Sequence, residues 1–145
     1  DATHIIAMLI ERTMQGKGFT LFGDKFDTPD GTCVRDYVHV EDVANGIFKA
    51  IEYTKANEGA YRFNLGNKEG YSNLQIVEAV KRNTPLEPNV IMGPARDGDP
   101  ATLVANTMSA NVDLGWTPRY DLDTIVKTAY NWYRKKAENN TTSSS

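Results

Sequence analysis

The chain has 145 residues, enough to enclose one core, and its make-up of 40% hydrophobic and 24% charged residues is ordinary for a globular domain. A net charge of -3 argues against nucleic acid or an anionic membrane surface as the main partner, and no apolar run is long enough to span a bilayer. One cysteine, Cys33, excludes an internal disulfide framework and fits a reducing, cytoplasmic setting. No signal peptide is visible, and the opening residue is Asp1 rather than Met, so a piece of something longer is expected.

In chain order, residues 3 to about 15 read as an amphipathic helix, with Ile5, Met8, Leu9 and Arg12 at helical spacing and Gly16 and Gly18 as stops. A short strand over residues 19–22 precedes a loop over 23–32 that is rich in Asp, Gly and Pro. Residues 34–40 alternate and read as extended. A helix from 41 to about 53 follows, with Val43, Ile47, Phe48 and Ile51 on one face. Residues 60–65 form a second clear strand pattern, ended by Gly66. Ser72 and Gln75 make a capping box for a helix reaching about Asn83, with Leu74, Val77 and Val80 inward.

A strand over 89–92 leads into a loop over 93–101, and Ser109 is expected to cap a short helix ending near Gly115. Trp116 sits in a turn as a packing residue, and Asp121 caps the last long helix. Arg134, Lys135 and Lys136 fall near the expected end of that helix, where cations suit its dipole. Residues 138–145 are Asn/Thr/Ser-rich and are expected to be a disordered tail, leaving 1–137 as the folded portion. Helices and strands alternate, so the fold class is α/β, or α+β in isolation.

Catalytic signals are sparse. No Gly-x-Gly-x-x-Gly turn follows a strand, no phosphate loop is present, and no Tyr has Lys four residues on to form an acid/base pair. His4 and His39, the only histidines, have no ligand spacing between them, so no metal site is expected. Cys33 reads as a small turn residue. Anion binding has more support. Arg35 and Arg96 each follow a Gly- or Pro-containing loop, and two converging guanidinium groups suit a pyrophosphate. Asp99 could accept from sugar hydroxyls, and Phe22 or Tyr37 could cover a base or line a sugar pocket. The bland alternative is local ion pairing, Arg35 with Asp36 or Asp30, and Arg96 with Asp97 or Asp99.

Over residues 28–40, Thr-Pro-Asp-Gly-Thr-Cys-Val-Arg-Asp-Tyr-Val-His-Val, the chain resembles the UDP-glucose 4-epimerase family of extended short-chain dehydrogenase/reductases. Phe63-Asn64-Leu65-Gly66-Asn67, Gly70-Tyr71-Ser72, Gly98-Asp99-Pro100-Ala101 and Leu114-Gly115-Trp116-Thr117-Pro118 agree in order and spacing, so the resemblance runs over about residues 1–137. It implies the C-terminal, substrate-binding portion of a Rossmann-type enzyme, without the N-terminal half that binds NAD and carries the catalytic Tyr and Lys. For the complete enzyme it implies interconversion of UDP-glucose and UDP-galactose through an NAD-dependent 4-keto intermediate. No catalytic residue and no cofactor are expected in this chain alone.

Carried over by position, Arg35 and Arg96 would bind the diphosphate, Tyr37 would lie beside them near the diphosphate or ribose, and Asp99 would bind ribose hydroxyls. Phe22 and the backbone at Thr20 would contact uracil. Ala95 stands where the family often has Arg, and Leu103 where some members have an aromatic. The resemblance also implies that residues 60–65 and the helix over 41–53 pack on the NAD-binding half. Their partner is then that half or, by self-association, a second copy. The alternatives are a non-catalytic nucleotide-sugar-binding module, and part of another UDP-sugar epimerase or decarboxylase.

Overall fold

The computed structural model describes residues 3–143, with side chains from Ile5 onward. Asp1, the side chain of His4 and the last tail residues, 144 and 145, lie outside the described residues. The elements in order are α1 (Thr3–Met14), β1 (Phe19–Phe22), β2 (Val34–Arg35), α2 (Val40–Ala56), β3 (Tyr71–Ser72), α3 (Asn73–Asn83), β4 (Val90–Gly93), β5 (Thr102–Leu103), α4 (Met108–Leu114) and α5 (Leu122–Thr142). The α/β class stands.

Strand β1 pairs with β4 in parallel, from Phe19 opposite Val90 to Phe22 opposite Gly93. A second sheet has the order β3-β2-β5, antiparallel between β2 and β3 and parallel between β2 and β5. The core lies between α1, α3, α5 and the inner face of β1, where Leu9, Ile10, Leu21, Ile76, Val80 and Val126 are almost fully enclosed. On α1 the enclosed face is Ile6, Leu9 and Ile10, while Met8 is turned outward. The alternation of β1 explains its burial, with Phe19 and Leu21 inward and Thr20 and Phe22 on the other side. The capping box forms as its spacing requires. Ser72 Oγ accepts from Gln75 N at 3.1 Å, and Gln75 Oε1 accepts from Ser72 N at 2.7 Å.

Several expectations shift. The strand expected over 34–40 is confined to Val34–Arg35, because its neighbours β3 and β5 are each only 2 residues long. Residues 60–65 join no ladder, since no strand among the described residues lies beside them. Their alternation persists as packing. Tyr61 and Phe63 both sit against Tyr53 of α2, with centroids 4.9 and 5.5 Å away, and Leu65 fills the space that Gly46 leaves open. Helix α4 is preceded by Thr107 rather than capped by Ser109, and Asn106 Oδ1 accepts from Met108 N at 3.0 Å. Helix α5 continues past Glu138, where a disordered tail was expected, to Thr142. There the Thr141 and Thr142 hydroxyls donate back to the carbonyls of Ala137 and Glu138.

Trp116 is fully enclosed and joins α2 to the α4–α5 connection. Its Nε1 donates to Asp42 O at 2.9 Å. The Asp42 carboxylate, itself buried, accepts from Arg119 N and Tyr120 N, each at 3.0 Å.

Candidate functional site

Strand alternation places Thr20 and Phe22 on the same side of β1, over Gly93 of β4. A Cβ at Gly93 would lie 3.0 Å from Thr20 Cγ2 and 3.5 Å from Phe22 Cδ1, so the glycine keeps this face open. Beyond Gly93 the chain enters the loop over 94–101, which turns back at Gly98 with a φ of 83°. That turn brings Asp99 to Arg96. Arg96 Nε lies 3.3 Å from Asp99 Oδ2, and the guanidinium carbon sits 4.6 Å from the centroid of the Phe22 ring.

Arg35 reaches the same loop from the other side. Its Nη2 donates to Pro100 O at 2.9 Å and its Nη1 to Val34 O at 2.8 Å. Val34 N donates to Ala101 O at 2.8 Å, and β5 then continues beside β2. Arg35, Arg96, Asp99, Phe22 and Thr20 are therefore gathered around one loop and its two flanking strands. Arg35 makes neither of the local ion pairs considered for it, whereas Arg96 does pair with Asp99. That pair is largely exposed, with side chains 66% and 30% accessible, so it contributes at most about 1 kcal/mol and yields readily to a stronger anion.

Tyr37 is placed elsewhere. It is 1% exposed, inside the core cluster and tilted against Tyr71 at 6.3 Å between centroids. Burial pushes its phenol above the usual tyrosine range, with a smaller opposing effect from the Arg35 charge. Cys33 is buried too, and its carbonyl accepts from Asn73 N at 2.9 Å, as suits a structural position. Ala95 within the loop and Leu103 just after it are both exposed. Pro100 O, a backbone acceptor, leaves no mark of its own in the residue types. The Asp99-Pro100 step was its only signal, since the residue before proline is held extended.

Neither β1 nor β2 runs into a helix through a glycine-rich dinucleotide turn. Strand β1 leads into Gly23 alone and not into a helix, and β2 reaches α2 through Asp36, Tyr37, Val38 and His39 without a glycine.

The site is thus an α/β arrangement with two arginines, a carboxylate and an aromatic ring around one loop, a donor set suited to an anion. Residues 1–66 match the model of the NAD dependent epimerase/dehydratase family, and over most of its length the chain is similar to the C-terminal part of UDP-glucose 4-epimerases. It is 42% identical over 134 residues to a UDP-glucose 4-epimerase of Lactobacillus helveticus, a match covering 91% of this chain and 41% of that protein. A UDP-glucose 4-epimerase crystal structure superposes with a TM-score of 0.87 at 39% identity, over 92% of this chain and 41% of the other. The enzyme from Bifidobacterium longum, solved with NAD+ and UDP, superposes with a TM-score of 0.81 at 33% identity, over 90% and 39%. The chain thus spans about two fifths of the length of the relatives it matches.

Proposed function

We propose that this chain is the nucleotide-sugar grip of a UDP-glucose 4-epimerase, acting on UDP-glucose and UDP-galactose together with an NAD-binding portion that the described residues do not supply. The observation that carries the reading is the convergence of Arg35, Arg96, Asp99 and Phe22 on the 94–101 loop. A diphosphate would take the place of Asp99 as the partner of Arg96 and use the donors of Arg35 that do not face Pro100 O or Val34 O. Asp99, released, would accept from ribose hydroxyls. Phe22 would then cover the uracil, whose amide edge meets backbone at Thr20. Tyr37 acts from within the core, holding the chain just beyond Arg35.

Catalysis in the pair belongs to the NAD-binding portion. This chain's contribution is binding and orientation, which leave the sugar at the mouth of that portion.

Calorimetric titration with UDP tests the reading. Arg35→Ala and Arg96→Ala should each weaken binding by about 1.5–3 kcal/mol, the scale of a charged hydrogen bond. UDP should bind ahead of GDP and dTDP. A folded chain with no affinity for UDP, or one indifferent to both substitutions, would refute the proposal.

A further inference from the structure

Asp36 follows Arg35 directly, at the end of the central strand of the three-stranded sheet. Its side chain does not join the ion pairs found among the described residues. Instead the two carboxylate oxygens are spent on backbone of two distant segments. Oδ1 accepts from Asn67 N at 3.0 Å, and Oδ2 accepts from Ala105 N at 2.5 Å. Gly66 forms the seat, since a Cβ there would lie 2.6 Å from Oδ2 and 3.0 Å from Cγ.

The two segments flank β2 on opposite sides. Asn67 opens the turn into β3, where its own Oδ1 accepts from Gly70 N at 2.7 Å. Ala105 lies just past β5, which emerges from the loop carrying Arg96 and Asp99. That loop is attached to β2 by a ladder of only Val34–Thr102 and Arg35–Leu103, plus the Arg35–Pro100 bond. So short a ladder does not fix its own register against sliding. A charged acceptor bonded to an amide just beyond it does, because slippage would strand both the carboxylate and the amide.

We propose that Asp36 is a positioning residue for the diphosphate grip: by clamping Asn67 and Ala105 it fixes the separation between Arg35 and the Arg96–Asp99 loop. This rests on the reading of that loop as the diphosphate site. Asp36 itself does not touch the nucleotide.

The test compares UDP with uridine on the full chain, using Asp36→Asn and Gly66→Ala. The first replaces one acceptor by an N–H donor. The second keeps the carboxylate and displaces it, and carries the test if Asp36→Asn does not fold. Each should weaken UDP binding about tenfold, leave uridine binding unchanged, and speed amide exchange at Asn67 and Ala105. Unchanged UDP binding in folded variants would overturn the proposal. So would a parallel loss of UDP and uridine, which is the mark of general destabilisation. Absence of UDP binding in the unsubstituted chain would remove the grip itself, a failure seen before any Asp36 variant is made.

Discussion

Asp30 and Asp123 each tie an irregular segment or a helix start to α3. Asp30 accepts from Thr32 N at 2.9 Å, from Thr32 Oγ1 at 2.7 Å and from the Ser72 hydroxyl. Burial alone would raise its carboxyl, but these bonds outweigh it and hold it below the usual range. Asp123 is lowered first by the Arg82 guanidinium and then by Asn83, whose Nδ2 lies at 2.6 Å. Asp121 is lowered by the Thr124 amide it caps. A carboxyl with a folded pKa below its unfolded value of about 3.8 adds stability that is fully present above that value. The contribution is lost as pH falls through the folded value. Urea midpoints measured from about pH 5 down to about pH 2 should therefore fall less steeply for Asp123→Asn than for the unsubstituted chain. Identical slopes would show that the α3–α5 bridge adds nothing. At this scale the placing of Arg35 and Arg96 beside one loop was legible, because loop position and charge point one way. The burial of Tyr37 was not, because a tyrosine suits a core and a ligand pocket equally and the ladder that could fix its side stops at Arg35.

Elements were legible where a local rule decides them. The Ser72 and Asp121 caps act over one turn and appear where spacing puts them. Residues 60–65 and the basic run at 134–136 depended on something further away. A strand needs a neighbour, and the cations lie inside α5 because that helix runs to Thr142, with Lys136 over the Trp132 ring at 5.1 Å. Helix α2 carries the largest consequence. Its inward face presents Asp42 and Gly46, while Ile47, Phe48 and Ile51 are 53%, 63% and 48% exposed. A helix with its apolar stripe outward lowers its free energy by covering that stripe. The isolated chain should self-associate, so its mass by sedimentation should rise with concentration. Phe48→Lys should return it to monomer while changing unfolding stability by no more than about 0.5 kcal/mol. A concentration-independent monomer with Phe48 in place would count against this.

The molecule as a whole divides by the kind of contact that holds it. The α1–α3–α5 side, with β1, is joined by enclosed aliphatic residues. Helix α2 packs on α4, and a set of polar bonds ties it to the rest. These are Trp116 Nε1 to Asp42 O, the Asp42 carboxylate to Arg119 N and Tyr120 N, and the Tyr120 hydroxyl to Glu41 at 2.6 Å. His39 adds one to Thr128 at 3.0 Å. Each such bond contributes about 1 kcal/mol net, so their sum is smaller than what a shared apolar core gives. The α2–α4 side should open without global unfolding. Native-state amide exchange then has a definite pattern: α2 amides, such as those of Ala50 and Ile51, exchange at a lower opening free energy than those of Val77 and Val80 in α3. Asp42→Ala should widen the gap, because it removes the acceptor shared by Arg119 and Tyr120 without touching the α3 core. Equal protection in α2 and α3 would mean that Trp116 alone couples the two sides into one cooperative unit, and that the outward apolar stripe of α2 costs the isolated chain little.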